Sequence, residues 1–303
     1  MSINSYFGKQ ESQITDEKQD KEKNSVLLFF VLAFTITYVF YYIADVLRGD
    51  AVVSSRTFPV ITLDNAHLFL LDEIVKFGPT IAGLLIAVYL GRPVVRDLLK
   101  RQFDYRIGLK WYILAIVGPA ILLLVAIIIW VQIADSKVNG VNFIFPETII
   151  ALISWLFLRI VLGGGLGEEL GFRGFALPRL QAKYGPNKAS LIIGIVWGLW
   201  HLPAILKSSS PVLLLLLQLL LTISLSFVFT WVYNNTNGSI LIVSLLHGSI
   251  NGFSAFYEAN LFPPLLDEGL WLLVWIMILV VLAILAIIKL KKQNKIEREN
   301  YGI

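Results

Sequence analysis

The apolar residues of this chain are gathered into long runs separated by short polar stretches. Eight runs stand out, at about 25–47, 69–90, 111–133, 148–167, 189–206, 212–233, 239–257 and 269–290. A membrane-crossing helix needs about 20 mostly apolar residues. The pattern therefore predicts an all-α integral membrane protein, a bundle of about eight transmembrane helices. The fourth and fifth runs are the least regular, because polar residues fall inside them or at their ends. Gly163, Gly164, Gly165, Gly167 and Gly171 crowd into one stretch, which is expected to break the fourth helix or to let a neighbouring backbone approach closely. The nearly all-leucine run Leu213–Leu221 reads as lipid-facing filler, and Asn234–Gly238 as a tight turn. Residues 1–24 are polar and mixed in charge, which reads as a solvated, disordered tail rather than a signal peptide, with the first apolar run retained as a helix.

Composition strengthens this picture. Of 303 residues, 57% are hydrophobic and 15% charged, against about 45–50% and about 25% in soluble domains. There is no cysteine, which excludes disulfides, thiolate metal sites and a cysteine nucleophile. The net charge of +4 is explained by lysines and arginines in alternate loops, so nucleic acid is not an expected partner. Arg92, Arg96, Lys100, Arg101, Arg106 and Lys110 follow the second run, Arg173, Arg179, Lys183 and Lys188 fall between the fourth and fifth, and Lys289, Lys291, Lys292, Lys295 and Arg298 follow the last. Together with Lys9, Lys18, Lys21 and Lys23 near the start, they predict a multi-pass protein of the cell membrane with both termini cytoplasmic. The stretch from Arg92 to Arg101 also reads as an amphipathic segment lying along the membrane surface.

Ionisable residues at membrane depth are costly and point to function. Three clusters qualify: Glu168–Glu169 with Arg173, then His201, then His247 with Asn251. Glu169 and Arg173 share a helix face and can pair. Glu168 points about 100° away, free to face a cavity and serve as general base for a water. His201 follows Trp197 by four residues, so indole and imidazole can stack, and Pro203 weakens backbone pairing nearby. His247 and Asn251 are also four apart, and two donors on one face can hold a developing oxyanion. Taken singly, the clusters could equally be an interfacial salt bridge, a histidine tied to a neighbouring carbonyl, or interhelical polar contacts. Taken together they are the parts of a hydrolytic site. His201 and His247 lie roughly 12–18 Å into their spans at a helical rise of about 1.5 Å per residue, so all three clusters can line one cavity open to the cytoplasm. His67, the remaining histidine, lies outside the clusters, and no His-Glu-x-x-His, Gly-x-Gly-Asp or Gly-x-Ser-Gly pattern occurs.

These residues resemble the CAAX protease and bacteriocin-processing family, also called ABI, whose members include the type II CAAX prenyl endopeptidases. Glu168, Glu169 and Arg173 match its Glu-Glu-x-x-x-Arg motif. His201 matches Phe-x-x-x-His with Trp197 in place of phenylalanine, and His247 with Asn251 matches His-x-x-x-Asn. Phe77–Ala82 also looks like the family's second helix. The resemblance implies an intramembrane endopeptidase in which Glu168 activates a water with His201 as its partner. His247 and Asn251 would stabilise the oxyanion, while Glu169 and Arg173 hold the site together. It divides the chain into a polar tail (1–24), N-terminal helices (25–147), a catalytic core (148–257), and a last helix with a basic tail (258–303). Glu168, His201 and His247 could also hold Zn²⁺ with a water in the fourth position, so a metalloprotease and a metal-free glutamate protease both stay open. The expected partners are the lipid bilayer and a membrane-proximal or lipidated, CAAX-like protein or peptide. Oligomeric state is not readable, and the composition suggests a bacterial source. The alternatives are a non-catalytic scaffold or bacteriocin-immunity protein on the same fold, and a transporter using Glu168 and the histidines as a proton relay.

Overall fold

The computed structural model describes residues 3–48, 75–133, 147–257 and 270–301. The described residues are mostly helical, as the runs predict. In chain order the helices are α1 (Ile3–Arg48), α2 (Gly78–Leu90), α3 (Arg92–Phe103), α4 (Leu109–Ile133), α5 (Glu147–Val161) and α6 (Gly164–Glu169). A π-helical segment, Leu170–Ala176, leads into α7 (Leu177–Trp200), α8 (Leu202–Ile205), α9 (Pro211–Asn235), α10 (Ile240–Phe256) and α11 (Leu270–Tyr301). Four stretches are long and apolar enough to cross a membrane: Asn24–Leu47, Leu109–Ile133, Pro211–Asn235 and Trp271–Gln293. The other four predicted runs fall on α2, α5, α7 and α10. His67, Asp72 and Glu73 lie outside the described residues.

The ends of the elements follow local chemistry. Helix α1 continues back to Ile3, through the stretch read from sequence as a disordered tail. Glutamine, glutamate and lysine are good helix formers, and extending an existing helix needs no new nucleus. The fourth run is broken at Gly163, whose extended backbone (φ −93°, ψ −159°) separates α5 from α6. Helix α7 is kinked where Gly185 (φ +75°) precedes Pro186. Asn237 and Gly238 take positive φ, end α9, and lead to Ser239, whose hydroxyl accepts from the Ile242 N–H to cap α10.

Helix α10 is the centre of the molecule. It packs on α4, α5 and α6 and touches α3, α9 and the π-helical segment. Its buried residues surround the helix axis, as expected of an element enclosed by others. Close approach depends on small residues: a β-carbon at Gly248 would lie 2.5 Å from the Ile160 backbone, and one at Gly165 2.6 Å from the Ser244 carbonyl. Polar side chains tie the remaining helices. Trp200 donates to Thr37 on α1 (2.8 Å), Thr80 on α2 donates to the Leu166 carbonyl (2.8 Å), and Ser226 on α9 donates to the Ser190 carbonyl (2.8 Å). Around this frame Leu213, Leu216 and Leu220 are exposed, as lipid-facing positions should be.

Candidate active site

The candidate side chains come from three separate parts of the fold. Glu168 and Glu169 end α6, and Arg173 lies in the π-helical segment that follows. Trp197 and His201 stand at the end of α7, while His247 and Asn251 share a face of α10. Glu168, Glu169, Arg173, Trp197 and His247 are all buried. The wide turn of a π-helix is uncommon and recurs at functional sites.

Arg173 Nη1 donates to Glu169 Oε1 at 3.1 Å, the pair expected from their spacing. Its guanidinium sits among aromatic faces, 4.7 Å from the Trp197 ring and 4.9 Å from that of Phe229. Glu169 does more than neutralise Arg173. Its Oε1 also lies 2.7 Å from His247 Nδ1, an approach across 78 residues of chain. A carboxylate on Nδ1 fixes the orientation of an imidazole and leaves Nε2 for chemistry.

That Nε2 and Glu168 Oε1 both close on Gly164. A β-carbon placed on Gly164 would lie 2.5 Å from Glu168 Oε1 and 2.7 Å from His247 Nε2, nearer than a side chain can approach. The two groups therefore come together because residue 164 has no side chain. The second oxygen, Glu168 Oε2, accepts from Trp197 Nε1 at 2.5 Å. The residue standing where the family has phenylalanine is thus a hydrogen-bond donor to the candidate base, beyond the larger aromatic expected from the sequence.

His201 sits at the C-cap of α7 rather than inside a helix, since Pro203 lacks an N–H to continue the ladder. Its Nδ1 is 2.9 Å from the Trp197 carbonyl. With Nδ1–H donating there, Nε2 is left as an acceptor. Its ring packs edge-on against Trp200 and at a tilt beside Trp197. Glu168 and His201 share no direct hydrogen bond; Trp197 joins them, through its indole N–H to one and its carbonyl to the other. Asn251 is half-buried one turn beyond His247 and carries no hydrogen bond among the described residues.

Glu168, His201 and His247 do not converge as ligands. Among the described residues no group of three or more histidines, cysteines, aspartates or glutamates gathers to hold a metal ion. The donors as arranged do not fit the tetrahedral zinc site that the sequence left open.

Sequence reasoning did not see Gly164 or the Glu169–His247 contact. The glycine run was the signal for the first; nothing local signals the second.

Fold and site define a helical membrane protein with a buried glutamate–histidine centre. Residues 148–253 match the family described as type II CAAX prenyl endopeptidase Rce1-like. A protein of Methanococcus maripaludis named CAAX prenyl protease 2 is 25% identical over 237 residues, covering 74% of this chain and 82% of its own. The chain resembles the type II CAAX prenyl endopeptidase family, and both comparisons bear out the resemblance carried by its motifs.

Proposed function

We propose that the protein is an intramembrane endopeptidase that hydrolyses a peptide bond of a membrane-proximal or lipidated, CAAX-like substrate, with both termini cytoplasmic. The observation that carries this reading is the approach of a carboxylate oxygen and an oriented imidazole nitrogen to one glycine, Gly164. A water bound by Glu168 gives it a proton as the water's oxygen attacks the scissile carbonyl carbon. His201 acts on Glu168 through Trp197, whose carbonyl it engages and whose indole N–H holds Glu168 Oε2. The tetrahedral oxyanion takes hydrogen bonds from the Asn251 amide and from His247 Nε2–H. Collapse breaks the carbon–nitrogen bond, and Glu168 returns its proton to the leaving amine.

The relative's printed name supports a prenylated substrate. So does an apolar cavity of about 260 Å³ lined by Leu122, Leu225, Trp231, Leu246, Ile250 and Trp275 among others. Leu246 and Ile250 belong to the helix that carries His247 and Asn251, so a lipid chain and a scissile bond can be held by one element.

The test is cleavage of a farnesylated peptide and its unmodified counterpart by the purified protein, beside Gly164→Ala. The expected outcome is cleavage of the lipidated peptide in preference to the bare one, lost in Gly164→Ala because the new methyl group collides with Glu168 and His247 and drives them apart. Cleavage undiminished in Gly164→Ala would refute the close approach of the two groups at residue 164.

Trp197→Phe supplies a sharper probe. Hydrogen bonds to charged groups contribute about 1.5–3 kcal/mol, so kcat is expected to fall by about ten- to a hundredfold while KM changes little. An unchanged kcat would remove the indole N–H from the account.

A further inference from the structure

Helix α3 carries a feature that the proteolytic site does not use. Arg92, Arg96 and Lys100 recur at every fourth position, so they form one row along the helix, and all three are exposed. None of them has an ion pair among the described residues. Asp97, the acidic residue of this helix, is engaged by Arg101 at 2.6 Å instead. Like charges spaced four apart on a helix repel, so this row calls for an anion from outside the chain.

The surroundings say which kind. Helix α3 begins directly after Gly91 (φ +113°), where the chain turns out of the apolar α2. The cations therefore stand at the level where a membrane helix ends. They line a groove of about 560 Å³ together with Val88, Val95 and Leu99. Val88 is 66% exposed and Leu99 41% exposed. A free phosphate or a nucleic acid has no use for that apolar wall. An amphiphile with an anionic head and a hydrocarbon stem matches both halves of it.

The opposite side of α3 is anchored inward. Arg101 Nη1 donates to the Tyr233 hydroxyl at 2.6 Å and Nη2 to the Gly174 carbonyl at 2.9 Å, next to Arg173 in the π-helical segment. Leu98 and Gln102 are buried beside it. One helix thus presents a cation row outward and grips the site-bearing segment inward.

We propose that the Arg92–Arg96–Lys100 row is a binding site for the head group of an anionic phospholipid, whose acyl chain lies along Val88 and Leu99. The site seats α3 on the membrane surface while Arg101 holds it to the segment carrying Arg173. This proposal does not depend on the proteolytic reading.

The experiment is native mass spectrometry of the delipidated full chain in detergent, supplied with dioleoylphosphatidylglycerol or dioleoylphosphatidylcholine. Wild type is expected to retain phosphatidylglycerol in preference. The triple variant Arg92→Gln/Arg96→Gln/Lys100→Gln is expected to lose about a hundredfold of that retention, and the single variant Arg96→Gln part of it. Lys291→Gln/Lys292→Gln, at the other basic end of the chain, is expected to retain it, and circular dichroism checks each fold. Equal retention by wild type and triple variant would overturn the proposal, as would an equal loss in the Lys291/Lys292 control. Displacement of the lipid by excess inorganic phosphate would also overturn it, by showing a site that reads charge alone.

Discussion

Arg173→Ala is expected to be the most destabilising single substitution in the site. Arg173 and Glu169 are both fully buried and paired at 3.1 Å. Removing the guanidinium leaves the buried Glu169 carboxylate with His247 Nδ1 as its remaining partner on Oε1, while its Oε2 has none among the described residues. It also empties the space between the Trp197 and Phe229 rings. Breaking a buried pair from one side costs about 3–5 kcal/mol, and a thermal melt in detergent should show it as a large loss of folded protein. Replacing both partners, as in Glu169→Leu/Arg173→Met, is expected to recover most of that stability, because apolar side chains of similar volume suit a buried site. Activity would stay lost, since His247 Nδ1 would have no acceptor. A melt of Arg173→Ala indistinguishable from wild type would contradict the burial and the pairing.

Glu168→Gln is expected to act in the opposite way, on chemistry and not on folding. Glutamine keeps the shape of the side chain, and its carbonyl oxygen can still accept from Trp197 Nε1. It cannot take a proton from water. Loss of a positioned general base costs about 10²–10⁴-fold in rate, and the loss should fall on kcat with KM near its wild-type value. The melt of this variant should match wild type or exceed it, because a buried charge has been removed. A variant that fails to fold would mean that Glu168 is a structural ion after all.

The helices were legible because lipid imposes a simple requirement, long apolar runs with every backbone group satisfied inside the helix. Their ends were less so. His201 reads as a residue inside a span, yet Pro203 makes it a cap. The polar residues near the start of the chain read as a tail, yet they continue α1. The Glu169–Arg173 pair was legible from a spacing of four. The Glu169–His247 contact was not, because nothing local marks a pairing 78 residues apart. Trp197 was legible as an aromatic substitution, while its role as donor to Glu168 needed the packing of α7 against the π-helical segment that follows Glu169 to bring the indole N–H into reach. Gly164 belonged to a run read as helix-breaking or as close backbone packing. Its particular neighbours, Glu168 and His247, emerge when α6 and α10 are set side by side.

The most direct test of the account is the mass-spectrometric analysis of a farnesylated peptide incubated with detergent-purified wild type and with Glu168→Gln prepared identically. The account predicts two product peptides differing in summed mass from the substrate by one water, formed by wild type and absent with Glu168→Gln. Equal product from both proteins would show that Glu168 is not the base, and the site assigned here would fall.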